Sequence, residues 1–125
     1  MSWRMPAEGA PHERTWLAWP TTGYTLGETA EQAEEARGTW AAVANATAEF
    51  EPVSVVVDPR DVDIAPAYLS RNIDLHVAAL DDAWVRDAGP TFVLGDLATD
   101  GTRSLGAVDW VFNGWGAQDW AVWGN

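Results

Sequence analysis

Apolar and polar positions along the chain change period several times, and each change marks an element. Residues 15–19 (TWLAW) form a short apolar run stopped by Pro20, which cannot donate to a ladder, and read as a strand. Residues 20–27 read as a loop. Residues 28–51 carry the clearest helical period, with Ala33, Ala36, Trp40, Val43, Thr47 and Phe50 on one face. Glu31, Glu34 and Glu35 crowd its first turns, where the helix dipole favours negative charge. Gly38 weakens this helix without forbidding it. Pro52 ends it, and the valine-rich run 53–57 is expected to be a buried strand. Asp58-Pro59 then reads as an N-cap with proline at the first helical position. A short helix to about Leu69 follows, limited or kinked by Pro66.

Residues 72–78 alternate so that Ile73, Leu75 and Val77 point inward, which predicts a third strand. A loop over residues 81–90 leads into a strand at 91–94. Residues 96–101 turn the chain, and 104–111 return it as a hairpin partner. Asn113-Gly114-Trp115-Gly116 is a glycine-rich loop, equally good as a simple turn or as backbone approaching a ligand. Strands alternating with helices and closed by a hairpin give an α/β or α+β pattern, with no low-complexity linker to divide it.

Composition narrows the function classes. At 125 residues, 47% apolar, the chain suits one domain or a piece of a larger one. Nineteen acidic against seven basic residues give a formal charge of −12, which argues against nucleic acid as a partner. That charge suits a small cationic substrate, and it equally keeps a protein soluble. The absence of cysteine removes disulfides, a thiolate nucleophile and any cysteine-based zinc site. His12-Glu13 lacks the second histidine of a zincin helix, so no metal is expected, and His76 reads as a structural residue on the polar side of its strand. Neither a secretory pattern nor an apolar stretch near ~20 residues is present, so a cytoplasmic chain without membrane contact is expected. Asn45-Ala46-Thr47 then carries no meaning as a glycosylation match. Most of the nine tryptophans should pack in the core or at its rim, with a minority lining a pocket. Trp120 and Trp123, close to the last residue without a polar tail, make the chain look cut short.

The most specific stretch is residues 81–90, DDAWVRDAGP, with three carboxylates, a guanidinium and an indole in seven residues. A carboxylate accepts two parallel N–H bonds from a guanidinium, and an aromatic face can cover the same plate. Asp87 is the candidate ligand, expected to face inward. If buried it must meet a cation or backbone donors, so a rigidifying network with Arg86 and a ligand site both stand. Asp81 and Asp82 read as cap or turn residues. Arg86 reads as an ion-pair partner, since a cation site would not set a guanidinium against its own ligand. Asp81, Arg86, Trp115 and Gly116 are carried forward as pocket or support residues.

Three segments in order add a resemblance. They are Arg4-Met5-Pro6-Ala7-Glu8 with Pro11-His12-Glu13-Arg14-Thr15-Trp16-Leu17-Ala18-Trp19-Pro20, then residues 81–93 (DDAWVRDAGPTFV), then residues 108–116 (VDWVFNGWG). Over nearly the whole chain they resemble the N-terminal part of agmatine deiminases, within the peptidylarginine-deiminase-like superfamily. Departures are Gly9-Ala10, where relatives carry an aromatic–acidic pair, and Gly114, where alanine is common. The resemblance implies a five-bladed α/β propeller (a pentein), of which this chain matches roughly the first two modules. It implies hydrolysis of agmatine to N-carbamoylputrescine and ammonia, without metal or organic cofactor, by a protein that forms homo-oligomers at full length. By the same resemblance Asp87 matches the catalytic carboxylate that grips the guanidinium, and Trp84 an indole packing against the substrate. The family's histidine, second aspartate and nucleophilic cysteine lie further downstream and have no counterpart here, so the chain alone is expected to be inactive. A peptidyl- or free-arginine deiminase, or a non-catalytic cation-binding module, are the alternatives.

Overall fold

The computed structural model describes residues 2–117. The chain divides into two compact units, Pro11–Val85 and a second formed by Met1–Ala10 with Arg86–Asn125. The expectation about Trp120 and Trp123 lies outside the described residues.

In Pro11–Val85, strands β1 (Thr15–Ala18), β2 (Val53–Val57) and β3 (Asp74–Val77) form a parallel sheet in the order β1-β2-β3. Register places Trp16 beside Ser54 and Ser54 beside Asp74, then Ala18 beside Val56 and Val56 beside His76. The central strand β2 is the one the sequence defines most sharply, because Val53, Val55 and Val57 are all buried. Burying each valine contributes about 1.5–3 kcal/mol. Pro20–Gly27, read as a loop, contains one helical turn, α1 (Gly23–Leu26).

Helix α2 (Ala30–Thr47) covers one face of the sheet. Thr29 caps it: the Thr29 hydroxyl accepts from the Gln32 amide, and the Gln32 side chain accepts from the Thr29 amide. The buried stripe differs from the expected one. Ala41 and Ala44 are buried with Trp40 and Ala48 beside them, whereas Val43 is 54% and Phe50 87% exposed. Hydrophobicity alone favoured the larger side chains, but small alanines allow the helix to approach a valine-covered sheet closely. Phe50 also lies beyond the helix, which ends four residues earlier than the pattern predicted.

The helix expected after Asp58 is two separate 3-10 turns, Pro59–Asp61 and Ala65–Ala67, because Pro66 cannot continue a hydrogen-bonded run. Asp58 does cap the first, its carboxylate accepting from the Arg60 amide at 3.0 Å. On β3, Ile73 is buried and Leu75 half-buried, but Val77 is 57% exposed and does not join the core. His76 stands with Trp16 on the face away from α2, its ring 5.0 Å from that indole and Nε2 3.2 Å from the buried Ser54 hydroxyl.

In the other unit β4 (Thr91–Leu97) and β5 (Arg103–Val108) form the expected antiparallel hairpin. Arg4 exchanges both backbone hydrogen bonds with Leu94 at 2.9 Å, adding a short third edge. Gly106 serves a close approach: a Cβ there would lie 2.9 Å from the Trp3 ring. The fold is mixed α/β, as the alternation of periods predicted.

Gly38 is exposed in the interior of α2, and an added Cβ meets nothing within 4 Å. Gly38→Ala should therefore raise stability by about 0.5–1 kcal/mol, read as a higher urea midpoint with an unchanged m-value.

Candidate functional site

The loop over residues 81–90 leaves the carboxyl edge of the parallel sheet, the edge at which open α/β sheets bind ligands. Its departure point is fixed by Asp58, which follows β2 directly. The Asp58 carboxylate is buried and accepts from Arg60 Nε at 2.7 Å, Arg60 Nη2 at 3.1 Å, the Arg60 amide and the Leu80 amide at 2.9 Å. Arg60 also donates to the Leu80 carbonyl at 3.2 Å. The Arg60 side chain, then its amide and that of Leu80, hold the Asp58 carboxyl far below the usual carboxylate range. Nearby, buried Asp61 accepts from the Thr21 hydroxyl and, at 3.1 Å, from Arg37.

Beyond Leu80 the first half of the loop is strapped to α1. The Thr22 hydroxyl donates to the Asp81 carbonyl at 3.1 Å, and Thr25 to the Asp82 carboxylate at 2.7 Å. Asp82 also accepts from the Ala83 amide at 2.7 Å, and Ala83 is buried. The Asp82 carboxylate thus serves the turn, whereas Asp81 takes part through its backbone carbonyl. Trp84 meets Trp40 of α2 edge-on at 5.6 Å and keeps 44% of its surface exposed. An indole so placed is supported on one side and presents surface on the other.

Residues Val85–Ala88 form one helical turn, α3, where the chain passes from one unit to the other. In the second unit Arg86 forks onto Glu8, at 2.8 Å and 3.3 Å. Both side chains are about three-quarters exposed, so the pair is worth roughly 0–1 kcal/mol, and its consequence is orientation. The network of Asp87 with Arg86 is not formed. Asp87 instead accepts from the Trp115 indole N–H at 3.3 Å, its one hydrogen bond among the described residues. Asp87 is exposed, a correction to the inward orientation expected: α3 is too short to have a buried side, and none of its residues is buried.

The Asn113–Gly116 segment is a turn of left-handed backbone. Gly114, Trp115 and Gly116 have φ of 61°, 54° and 87°. Trp115 is the one described non-glycine residue with positive φ, which costs about 1–2 kcal/mol for a side chain of that size. The Asn113 side chain accepts from the Gly116 amide at 3.0 Å, and Phe112 meets the Trp115 ring edge-on at 5.0 Å. The structure thus joins Trp115 to Asp87, Arg86 to Glu8 and Trp84 to Trp40. Among the described residues no group of three His, Asp or Glu is arranged to hold a metal. No helix of the described residues is long and apolar enough to cross a membrane.

Comparison with known proteins decides the family. A profile of the Porphyromonas-type peptidyl-arginine deiminases matches residues 4–123. The chain belongs to that family. A Streptomyces coelicolor relative named "Putative agmatine deiminase" is 54% identical over 98% of this chain and 34% of its own length. The agmatine deiminase of Stutzerimonas stutzeri is 42% identical over 97% of this chain and 31% of its own. Among solved structures, the Enterococcus faecalis agmatine deiminase superposes with a TM-score of 0.76 at 33% identity, covering 91% of this chain and 29% of that one. The chain spans about a third of the length of the curated relatives it matches.

Within this deiminase family reading, Asp58 and Glu8 are the residues that sequence reasoning missed as loop supports. Asp58 was legible as a cap, but its bond to Leu80 spans 22 residues and leaves no local signal. Because the Asp58 carboxyl titrates lower folded than unfolded, its contribution is complete above its unfolded value near ~4 and is lost as pH falls toward the folded one. Urea midpoints measured from pH 7 to pH 2.5 should fall below about pH 4, and Asp58→Asn should be less stable at neutral pH with a shallower acid decline.

Proposed function

We propose that this chain is the N-terminal part of an agmatine deiminase, supplying half of the grip on the substrate guanidinium. The observation that carries the reading is Asp87, whose carboxylate accepts from an indole N–H while the neighbouring Arg86 forks onto Glu8. Family membership and the names of the Stutzerimonas and Enterococcus relatives support agmatine as the substrate class. In this reading the complete protein is a five-bladed α/β propeller, a homo-oligomeric cytoplasmic hydrolase, and the present residues are about two of its modules.

A guanidinium carbon is a poor electrophile, because its charge is delocalised over three nitrogens. Asp87 accepts N–H bonds from the plate, fixing its plane and stabilising charge as the guanidinium carbon becomes tetrahedral on attack and one nitrogen, protonated, leaves as ammonia. Water then adds to the same carbon and expels the nucleophile, giving the N-carbamoyl product. The attacking thiolate and the imidazole that moves protons belong to residues beyond these, since the chain has no cysteine. The family description names peptidyl-arginine, so an arginine side chain or free arginine is the second substrate reading.

Two preparations test this. The 125-residue chain should not release ammonia from agmatine. A chimaera in which it replaces the matching third of the Stutzerimonas stutzeri enzyme should turn agmatine over, and Asp87→Ala should lower kcat/KM about 10²–10³-fold. Turnover by the isolated chain, an inactive chimaera, or a preference for arginyl peptides over agmatine would each overturn the corresponding part.

A further inference from the structure

We propose that Trp115 is the positioning residue of Asp87, its indole N–H holding the carboxylate in the orientation that receives a planar cation. This rests on the guanidinium reading given above. The observations behind it all lie within one unit. Trp115 adopts left-handed backbone between two glycines that are themselves left-handed, a conformation a tryptophan keeps only where the surroundings fix it. The surroundings do so: Phe112 packs edge-on against the ring at 89°, and Asn113 closes the turn through the Gly116 amide. The indole N–H so placed points at Asp87 Oδ1.

An exposed carboxylate on a single helical turn has rotational freedom that a ligand would otherwise have to remove. The indole removes it beforehand. An ionised carboxylate offers about four acceptor sites, and one N–H occupies one of them. The remaining sites suffice for the two parallel donors of a guanidinium edge. A ring that served only to pack the turn would need no donor. Phenylalanine at 115 keeps the ring and its edge-on neighbour and removes the N–H, so it separates the two roles.

The test uses the chimaera described above, in which an active parent and an impaired Asp87→Ala variant establish the guanidinium reading independently. Trp115→Phe should raise KM for agmatine about tenfold, with kcat within about twofold and an unchanged melting temperature, as expected for loss of binding preorganisation through a charged hydrogen bond. A KM within about twofold of the parent overturns the proposal, as does a fall in melting temperature that accounts for the loss. A second measurement needs no activity: in ¹H–¹⁵N spectra of the 125-residue chain, Asp87→Ala should shift the Trp115 indole cross-peak. A peak that stays in place shows that the indole does not hold that carboxylate.

Discussion

One buried carboxylate sets the geometry from which the acidic loop over residues 81–90 departs. Asp58 follows the central strand, and burial of its charge is tolerable only because four donors converge on it. Three come from Arg60, two residues on, and the fourth from Leu80, which closes the third strand's exit. The same side chain therefore ends β2, shapes the 3-10 turn after it and pins the first residue before the acidic loop. Thr22 and Thr25 then hold that loop's opening aspartates, leaving Trp84 supported on Trp40.

At the loop's far end the question is how one guanidinium and one carboxylate in adjacent positions avoid neutralising each other. Glu8 takes Arg86 in a two-pronged bond, and Trp115 takes Asp87. The first of these is too exposed to contribute much stability, which is consistent with a part in orientation rather than folding. The second comes from the one described non-glycine residue with positive φ. A net charge of −12 attracts cations generally, and in the proposed reading a carboxylate at position 87 without a competing internal cation is left to accept a planar one.

Much of this was legible before any coordinates. The valine run at 53–57 matched its strand residue for residue, and the hairpin followed from two β-rich runs around a turn, because those patterns encode burial directly. The three motif segments likewise pointed to the family. The helix stripe was misjudged because hydrophobicity weighs Val43 and Phe50 above Ala41 and Ala44, whereas close packing favours the smaller pair. The exposure of Asp87 was not legible, since a four-residue helical turn carries no periodic signal. The Glu8–Arg86 fork spans 78 residues and the Trp115–Asp87 bond 28, distances over which local pattern says nothing. The left-handed turn was half visible, in the glycines on either side of Trp115.

In the proposed function Asp87 is available to a ligand rather than to its neighbour, and Arg86→Ala tests that most directly. Agmatine affinity would be measured by calorimetry in the chimaera with its nucleophilic cysteine replaced by alanine. With Arg86 already engaged by Glu8, its removal should leave the Kd within about twofold of the parent. A Kd tightened tenfold or more would mean that Arg86 had been competing for the carboxylate, and would contradict the account.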